Sequence, residues 1–252
     1  MAEGEPLLWS FVGLGFGIYL FFKGFGWFWE KRLIENTPTS KIRSIAMGLV
    51  EILGEVVLAE KQILKSPLSN KDCVYYRFKI EEYRSSGDSI IWVTIKKGDK
   101  GINFYLKDDT GSVLIDPNKA KIEIPAKYSL ETSKEKQIPS ALQAYLTEQK
   151  VKTKALFGLN KMMRFTEYYI APKDNLYIMG TAGDNPFVEE ATGQKNEEDI
   201  MIQKGKGFYY MSDKQEKDIL KSFKWKIIGG LWGGLGLIVV CLFIIFGYLK
   251  IL

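Results

Sequence analysis

The residues that could carry chemistry in this chain are few, and its two thiols come first. The 252 residues include no histidine and only two cysteines, Cys73 and Cys241. Ser-His-Asp and Cys-His catalysis both need an imidazole as base, and a structural zinc site needs four ligands, mainly Cys or His. We therefore predict no catalytic, cofactor-binding or metal-ligating residue, and no cofactor.

Two short motifs resemble functional sequences but stand in the wrong context. The tripeptide Asp109-Thr110-Gly111 is that of aspartic proteases, whose chemistry needs a second carboxylate from a second copy. The chain has no second copy, so we predict a hairpin turn here. Glycine-rich runs at 13–17 and 229–236 lie inside apolar segments rather than between a strand and a helix, which excludes a phosphate-binding loop.

Two apolar segments lie on either side of everything else in the chain. The segment 227–249 has no charged residue, and the segment 7–29 has one, Lys23. About 20 apolar residues cross the hydrocarbon core of a bilayer. We predict transmembrane helices at 7–29 and 227–249, with Lys23 close enough to one end for its ammonium to reach the headgroups.

Glycines four residues apart place small side chains on one face of each predicted helix. Such faces allow close packing of membrane helices, either within one chain or between two copies. The pairs are Gly13 with Gly17, Gly229 with Gly233, and Gly230 with Gly234.

Residues 31–226 have the pattern of one β-rich domain. From Val74 to Ile80 the even positions are apolar, which predicts a strand whose odd positions, Tyr75 to Glu81, face water. Cys73 then lies either at the strand end under the SPLSNKD turn or on a second covered face. About six such segments within 31–125 predict a small sandwich or OB-like barrel.

The rest of the domain contains a helix and further strands. The segment 139–211 begins with a short predicted helix, PSALQAYLTEQ, and continues with strands, and 212–226 predicts a helix that leads into the membrane. The fold class is therefore a membrane protein of β-rich α+β type, with two transmembrane helices flanking a mainly β domain. Aromatic side chains on the strands could stack nucleic-acid bases, but without a basic stripe we predict core packing instead.

Charge beside the apolar segments predicts the side of the membrane on which the domain lies. Lysine and arginine are concentrated on the domain side of both segments, at 31–43 and at 221–226. The positive-inside rule then places the domain in the cytoplasm and both termini outside.

Four stretches, in order, resemble the GIDE family. In the family's mitochondrial E3 ubiquitin ligases this region is the "beside a membrane" domain between two membrane spans, and prokaryotic members also occur. The resemblance implies a domain in the intermembrane space, which corresponds to the outside of a bacterial cell and opposes the prediction from charge. The stretches are IENTPTSKIRSIAMGLVEILGEV (34–56), SPLSNKDCVYYRFKIEEY (66–83), FYLKDDTGSVLIDP (104–117) and FYYMSDKQEKDIL (208–220).

The chain departs from those ligases in one respect. Their second span is followed by a RING, whose eight Cys or His ligands hold two zinc ions. Here the sequence stops at Leu252 and contains too few such ligands. The family name implies a RING-type ubiquitin transferase, but we expect no such activity from this chain. It is most similar to RING-less, two-span prokaryotic members, which implies a cell-membrane location.

These observations predict a membrane-anchored interaction or scaffold protein without catalysis of its own. Its β-rich domain would bind a protein partner or a lipid surface beside the bilayer. One alternative is a component of an E3 ubiquitin-ligase-like system that needs a RING in trans, and another is an OB-type nucleic-acid binder at the membrane. Expected partners are the bilayer, an unidentified protein, and a further copy of the chain through the glycine faces, whereas nucleic acid is not favoured.

Overall fold

The structure is a computed structural model that describes residues 5–59, 63–86, 89–132, 138–154, 160–187 and 199–249. The chain forms two compact units: Thr39–Asp213 is one, and Met1–Pro38 together with Lys214–Leu252 is the other. We call them the barrel unit and the helical unit.

Within the described residues, the regular elements are four α-helices, a 3-10 turn at Ile42–Ser44, a π-helical turn at Gly229–Gly233, and thirteen strands. The helices are α1 Glu5–Asn36, α2 Ser140–Glu148, α3 Glu216–Ile228 and α4 Gly234–Tyr248. The strands are β1 Gly48–Leu58, β2 Leu64–Lys65, β3 Asp72–Cys73, β4 Tyr75–Ser86, β5 Ser89–Gly101, β6 Phe104–Lys107, β7 Ser112–Ile115, β8 Lys121–Glu123, β9 Tyr128–Glu131, β10 Met163–Ile170, β11 Asn175–Asp184, β12 Ile200–Gln203 and β13 Tyr210–Ser212.

Five strands of the barrel unit close into a barrel. Their order is β1-β6-β7-β12-β11, and β11 returns to pair with β1. Strands β7 and β12 run parallel, whereas the other pairs are antiparallel. Numbered along the barrel, this is the 1-2-3-5-4-1 order of an OB-type Greek-key barrel. The predicted fold class is confirmed: a β-rich domain with a barrel and a short helix lies in sequence between two apolar helices.

Alternate residues of the barrel strands fill its core, as period-2 strands require. Among them are Val50, Ile52, Val56, Phe104, Leu106, Val113, Ile115, Leu176, Ile178 and Ile202.

Strand β1 changes partner midway, and a glycine makes this possible. Residues Gly48 to Glu55 pair with β11, and Glu55 to Leu58 pair with β6. A Cβ atom at Gly54 would lie 2.5 Å from the carbonyl oxygen of Lys107. Because the two backbones approach so closely at the bend, only glycine fits there.

The barrel unit has a second layer, the four-stranded sheet β5-β4-β10-β9. Helix α2 covers one face of this sheet, and the two enclose a second apolar core. That core contains Leu68, Phe78, Ile80, Leu142, Leu146, Met163 and Phe165.

The prediction that the odd positions of β4 face water is only partly right. Phe78 and Ile80 are buried as expected, but Tyr75 and Glu81, predicted to face water, are buried as well, each 7% exposed. Tyr75 belongs to the barrel core, so the first residues of β4 are covered on both sides. Glu81 follows a β-bulge, which shifts the pairing with β5 between Ile80 and Glu81.

In the helical unit, α1 lies antiparallel to the helix formed by α3, the π-turn and α4. Gly24 lies against Gly230, where a Cβ would come 2.8 Å from the α-carbon of Gly24, and a Cβ at Gly13 would lie 2.8 Å from the Sγ of Cys241. The predicted glycine faces therefore meet within one chain, while pairing between two copies stays a prediction. Gly17 and Gly234 also lie at the contact, whereas a Cβ at Gly229 or Gly233 would meet nothing within 4 Å.

Candidate functional site

The thiol that first suggested chemistry is sealed inside the barrel unit. Cys73 ends β3 and is 0% exposed, and its Sγ lies 3.6 Å from the carbonyl oxygen of Leu64. Burial contributes most, the carboxylates of Glu167 and Asp72 act in the same direction and Lys65 opposes them; together they raise the pKa of Cys73 to about 12. Because the thiolate is the reactive form, a protonated and inaccessible thiol is poorly suited to nucleophilic attack.

A buried carboxylate holds the turn that precedes Cys73. Glu167 of β10 is 0% exposed and accepts hydrogen bonds from the backbone N–H of Leu68 (2.7 Å) and of Ser69 (3.0 Å). The Ser69 hydroxyl donates a third at 2.5 Å. We call this arrangement the Glu167 clamp. Sequence reasoning missed it, although the alternation of Met163 and Phe165 in β10 places Glu167 on the same, core-facing side.

The Asp-Thr-Gly motif forms the hairpin turn between β6 and β7, as predicted. The side chain of Asp108 accepts hydrogen bonds from the backbone N–H groups of Thr110 (2.7 Å), Gly111 (2.9 Å) and Ile42 (3.0 Å). Desolvation raises the pKa of Asp108, but these bonds and one from the Thr110 hydroxyl outweigh it and lower the pKa. The turn therefore fixes the segment around Ile42 rather than a reacting group.

The donor set does not fit the zinc ions of a RING. The chain has no histidine, and Cys73 and Cys241 belong to different units. Across the described ranges, no cluster of three or more histidine, cysteine, aspartate or glutamate side chains could hold a metal ion.

The face of the four-stranded sheet that points away from α2 carries basic and aromatic side chains. Lys79 on β4 lies directly opposite Lys97 on β5, beside a shallow depression of about 630 Å³. Nearby, the guanidinium of Arg164 lies 4.2 Å from the ring centre of Trp92, and the rings of Tyr83 and Trp92 are 4.9 Å apart. We call these five residues the lysine–tryptophan face. Lys79 also pairs with Glu81 at 2.6 Å.

The lysine–tryptophan face presents groups that suit non-covalent contacts. Trp, Tyr and Arg are the side chains that most often dominate protein interfaces, because they present large, well-ordered contact areas. Two lysines opposite each other repel, and a carboxylate placed between them would relieve that repulsion. The chemistry of the face is therefore complementary to a carboxylate beside a flat or apolar group.

The helical unit contains two helices long and apolar enough to cross a membrane, Glu5–Asn36 and Glu216–Tyr248. On α1, two exposed tryptophans lie towards opposite ends: Trp9 and Trp29 are each 69% exposed. They are twenty residues apart, which at about 1.5 Å per residue is about 30 Å, the thickness of a hydrocarbon core. Tryptophan is enriched at both surfaces of a bilayer.

The fold and these surfaces define a class of protein: an OB-type barrel domain that lies in sequence between two helices apolar enough to span a membrane. The GIDE family model, described as E3 Ubiquitin ligase, matches residues 76–246. Because the match covers 171 of the 252 residues, the chain belongs to the GIDE family. The match begins in β4 and ends in α4, so it includes the lysine–tryptophan face. No curated protein and no solved structure matches the chain.

Proposed function

We propose that this GIDE-family protein is a membrane-anchored interaction protein. The two apolar helices span the bilayer, and the lysine–tryptophan face binds an acidic segment of a protein partner without catalysis by this domain. The observation that carries the proposal is the direct opposition of Lys79 and Lys97 beside the stacked Arg164 and Trp92.

The lysine pair supports a binding role because the two like charges lie directly opposite in the isolated sheet, and the Glu81 carboxylate that offsets them pairs with Lys79. Like charges directly opposite on neighbouring strands destabilise the pairing. Lysines on an edge strand can also discourage strand-to-strand aggregation, and β5 is an edge strand. The two roles are separable, because protection of the edge does not depend on Trp92, whereas partner binding does.

Capture of the partner from membranes of the source cells, in mild detergent, tests this proposal. Wild type would be compared with Lys79→Glu/Lys97→Glu and with Trp92→Ala. We expect one stoichiometric protein with the wild type and at least about tenfold less with both variants, since loss of one member of a buried charge pair costs about 2 kcal/mol or more.

A matched control changes the same charge elsewhere. Lys71 and Lys206 are exposed and lie outside the lysine–tryptophan face, so Lys71→Glu/Lys206→Glu should capture the partner as the wild type does. Thermal unfolding of each variant checks that the barrel unit is intact. Equal capture of the same proteins by all four chains would contradict the proposal.

The family description favours a second candidate, a component of an E3 ubiquitin-ligase system. Since these 252 residues cannot ligate the zinc ions of a RING, the RING would come from outside them. We then expect the purified protein with E1 and E2 to form no ubiquitin chains, and a co-captured RING protein to restore them. Chain formation with E1 and E2 alone would overturn this requirement.

For location we propose a prokaryotic type of cell membrane crossed twice. The basic residues that flank both helices on the domain side favour the cytoplasm for the barrel unit. The arrangement of the family's mitochondrial ligases favours the opposite side, and protease accessibility distinguishes the two.

A further inference from the structure

One exposed face of the second long helix changes from basic to apolar along its length. Lys217, Lys221 and Lys224 are spaced i, i+4 and i+7, so they lie on one face of α3, and all three are exposed. The same face continues with Ile228 and Trp232, which are 38% and 71% exposed. The change falls between Lys224 and Ile228.

The packing of the two long helices places a second set of residues at the same level. Gly24 on α1 lies against Gly230. Because the helices are antiparallel, five residues after Gly24 and five residues before Gly230 lie at the same level. These positions are Trp29 and Trp225, which are 69% and 67% exposed. The two exposed tryptophans therefore form one belt, and Ile228 and Trp232 lie on its apolar side.

The basic residues lie just beyond this belt. Arg32 on α1 and Lys221 and Lys224 on α3 are within about one helical turn of the tryptophan level, and Lys217 follows one turn later. The acidic residues of the same turn of α3, Glu216 and Asp218, point about 100° to either side of Lys217. The face that continues into the apolar surface is therefore purely basic.

We infer that Lys217, Lys221 and Lys224 form a binding site for the phosphate groups of anionic phospholipids; this rests on the proposed membrane-spanning function. Tryptophan belts lie at the level of the headgroups, so cations one turn beyond them meet the lipid phosphates. The side chains are long enough to extend along the helix while their charged ends stay in water. Clusters of lysine beside a membrane helix attract anionic lipid through the surface charge.

Electron paramagnetic resonance of spin-labelled lipids tests the inference on the full chain in phosphatidylcholine vesicles. It gives the relative association of phosphatidylglycerol and phosphatidylcholine with the protein. We expect at least about a fivefold preference for phosphatidylglycerol, the effect of one lysine near a charged surface. The preference should fall close to unity in Lys217→Gln/Lys221→Gln/Lys224→Gln and at high salt.

A matched control removes three exposed lysines of the barrel unit. Lys71→Gln/Lys152→Gln/Lys206→Gln should keep the wild-type preference. An equal preference in the α3 variant and the wild type would overturn the inference. Loss of the preference when inorganic phosphate replaces chloride at constant ionic strength would also overturn it, because the site would then take the free anion.

Alkaline extraction of the same vesicles separates this inference from the proposed function. If the chain stays in the membrane pellet but shows no lipid preference, the lipid site is wrong and the membrane-spanning function stands. If alkali releases the chain, both are wrong. Retention together with a preference that depends on the α3 lysines supports both.

Discussion

Removal of the Glu167 carboxylate should favour opening of the turn at Leu68 and Ser69, which precedes Cys73. Glu167→Ala deletes the acceptor of the Leu68 and Ser69 N–H groups, and Leu68 is only 6% exposed. An unsatisfied buried donor costs about 1–3 kcal/mol. Loss of the bond from the Ser69 hydroxyl costs less free energy, because this hydroxyl also lies within hydrogen-bond distance, 2.9 Å, of the Ser66 hydroxyl. We expect the free energy of local opening to fall by about 3 kcal/mol in total.

The thiol of Cys73 reports this opening, since it is 0% exposed and can be alkylated only when the turn opens. Peptide mass spectrometry distinguishes its labelling from that of Cys241. A loss of about 3 kcal/mol predicts labelling about a hundredfold faster, because about 1.4 kcal/mol corresponds to a factor of ten. Loss of the nearby carboxylate also removes one cause of the raised pKa of Cys73, which acts in the same direction.

Two further variants make the test specific. Glu167→Gln keeps one acceptor oxygen, so its labelling rate should lie between those of wild type and Glu167→Ala. Glu131→Gln on the neighbouring strand removes the ion pair between Glu131 and Arg164. Because the Glu131 side chain is 56% exposed, this change should alter stability by less than about 1 kcal/mol. If Glu167→Ala labels Cys73 no faster than Glu131→Gln, the clamp does not hold the turn.

Three other outcomes follow from the same structure. Although desolvation opposes them, hydrogen bonds lower the pKa of Asp108, so its contribution to stability is full at neutral pH and is lost as the pH falls through the lowered pKa. The excess urea stability of wild type over Asp108→Asn should therefore shrink on acidification, and a difference that does not change with pH would refute this. Gly54→Ala should lower the unfolding free energy by about 2 kcal/mol or more, because its Cβ meets a backbone carbonyl of β6; an unchanged urea midpoint would refute it. Gly13→Cys should form an intramolecular disulfide with Cys241 under mild oxidation, whereas Gly15→Cys, with nothing within 4 Å, should not.

Local patterns in the sequence predicted strands and turns better than they predicted which strands pair. The alternation in β4 predicted that Phe78 and Ile80 lie in the core, and the residue types of Asp109-Thr110-Gly111 predicted a turn. Both predictions depend on neighbouring residues alone. The parallel pairing of β7 with β12 joins residues such as Leu114 and Met201, far apart in the chain. A period of two fixes the face of a strand but not its neighbour, so the closed barrel required the structure.

The proposed binding surface could not be predicted from the sequence for the same reason. Lysines at 96 and 97 are visible in the sequence, but the opposition of Lys97 to Lys79 depends on a bulge that shifts the β4–β5 register. The Glu167 clamp likewise joins β10 to a turn near Ser69. Tyr75 is buried in the barrel core and Glu81 follows a bulge, and the alternation of residues in β4 cannot show either.

Protease digestion of oriented vesicles tests most directly whether two spans anchor the barrel unit on one side of a membrane. Epitope tags on both termini would follow the ends of the chain. We expect digestion of residues 39–213 from one side only, the cytoplasmic side by charge, with both tags cleaved from the other side and both helices protected throughout. Digestion of the barrel unit and the tags from the same side, or loss of the protected helices, would contradict the account.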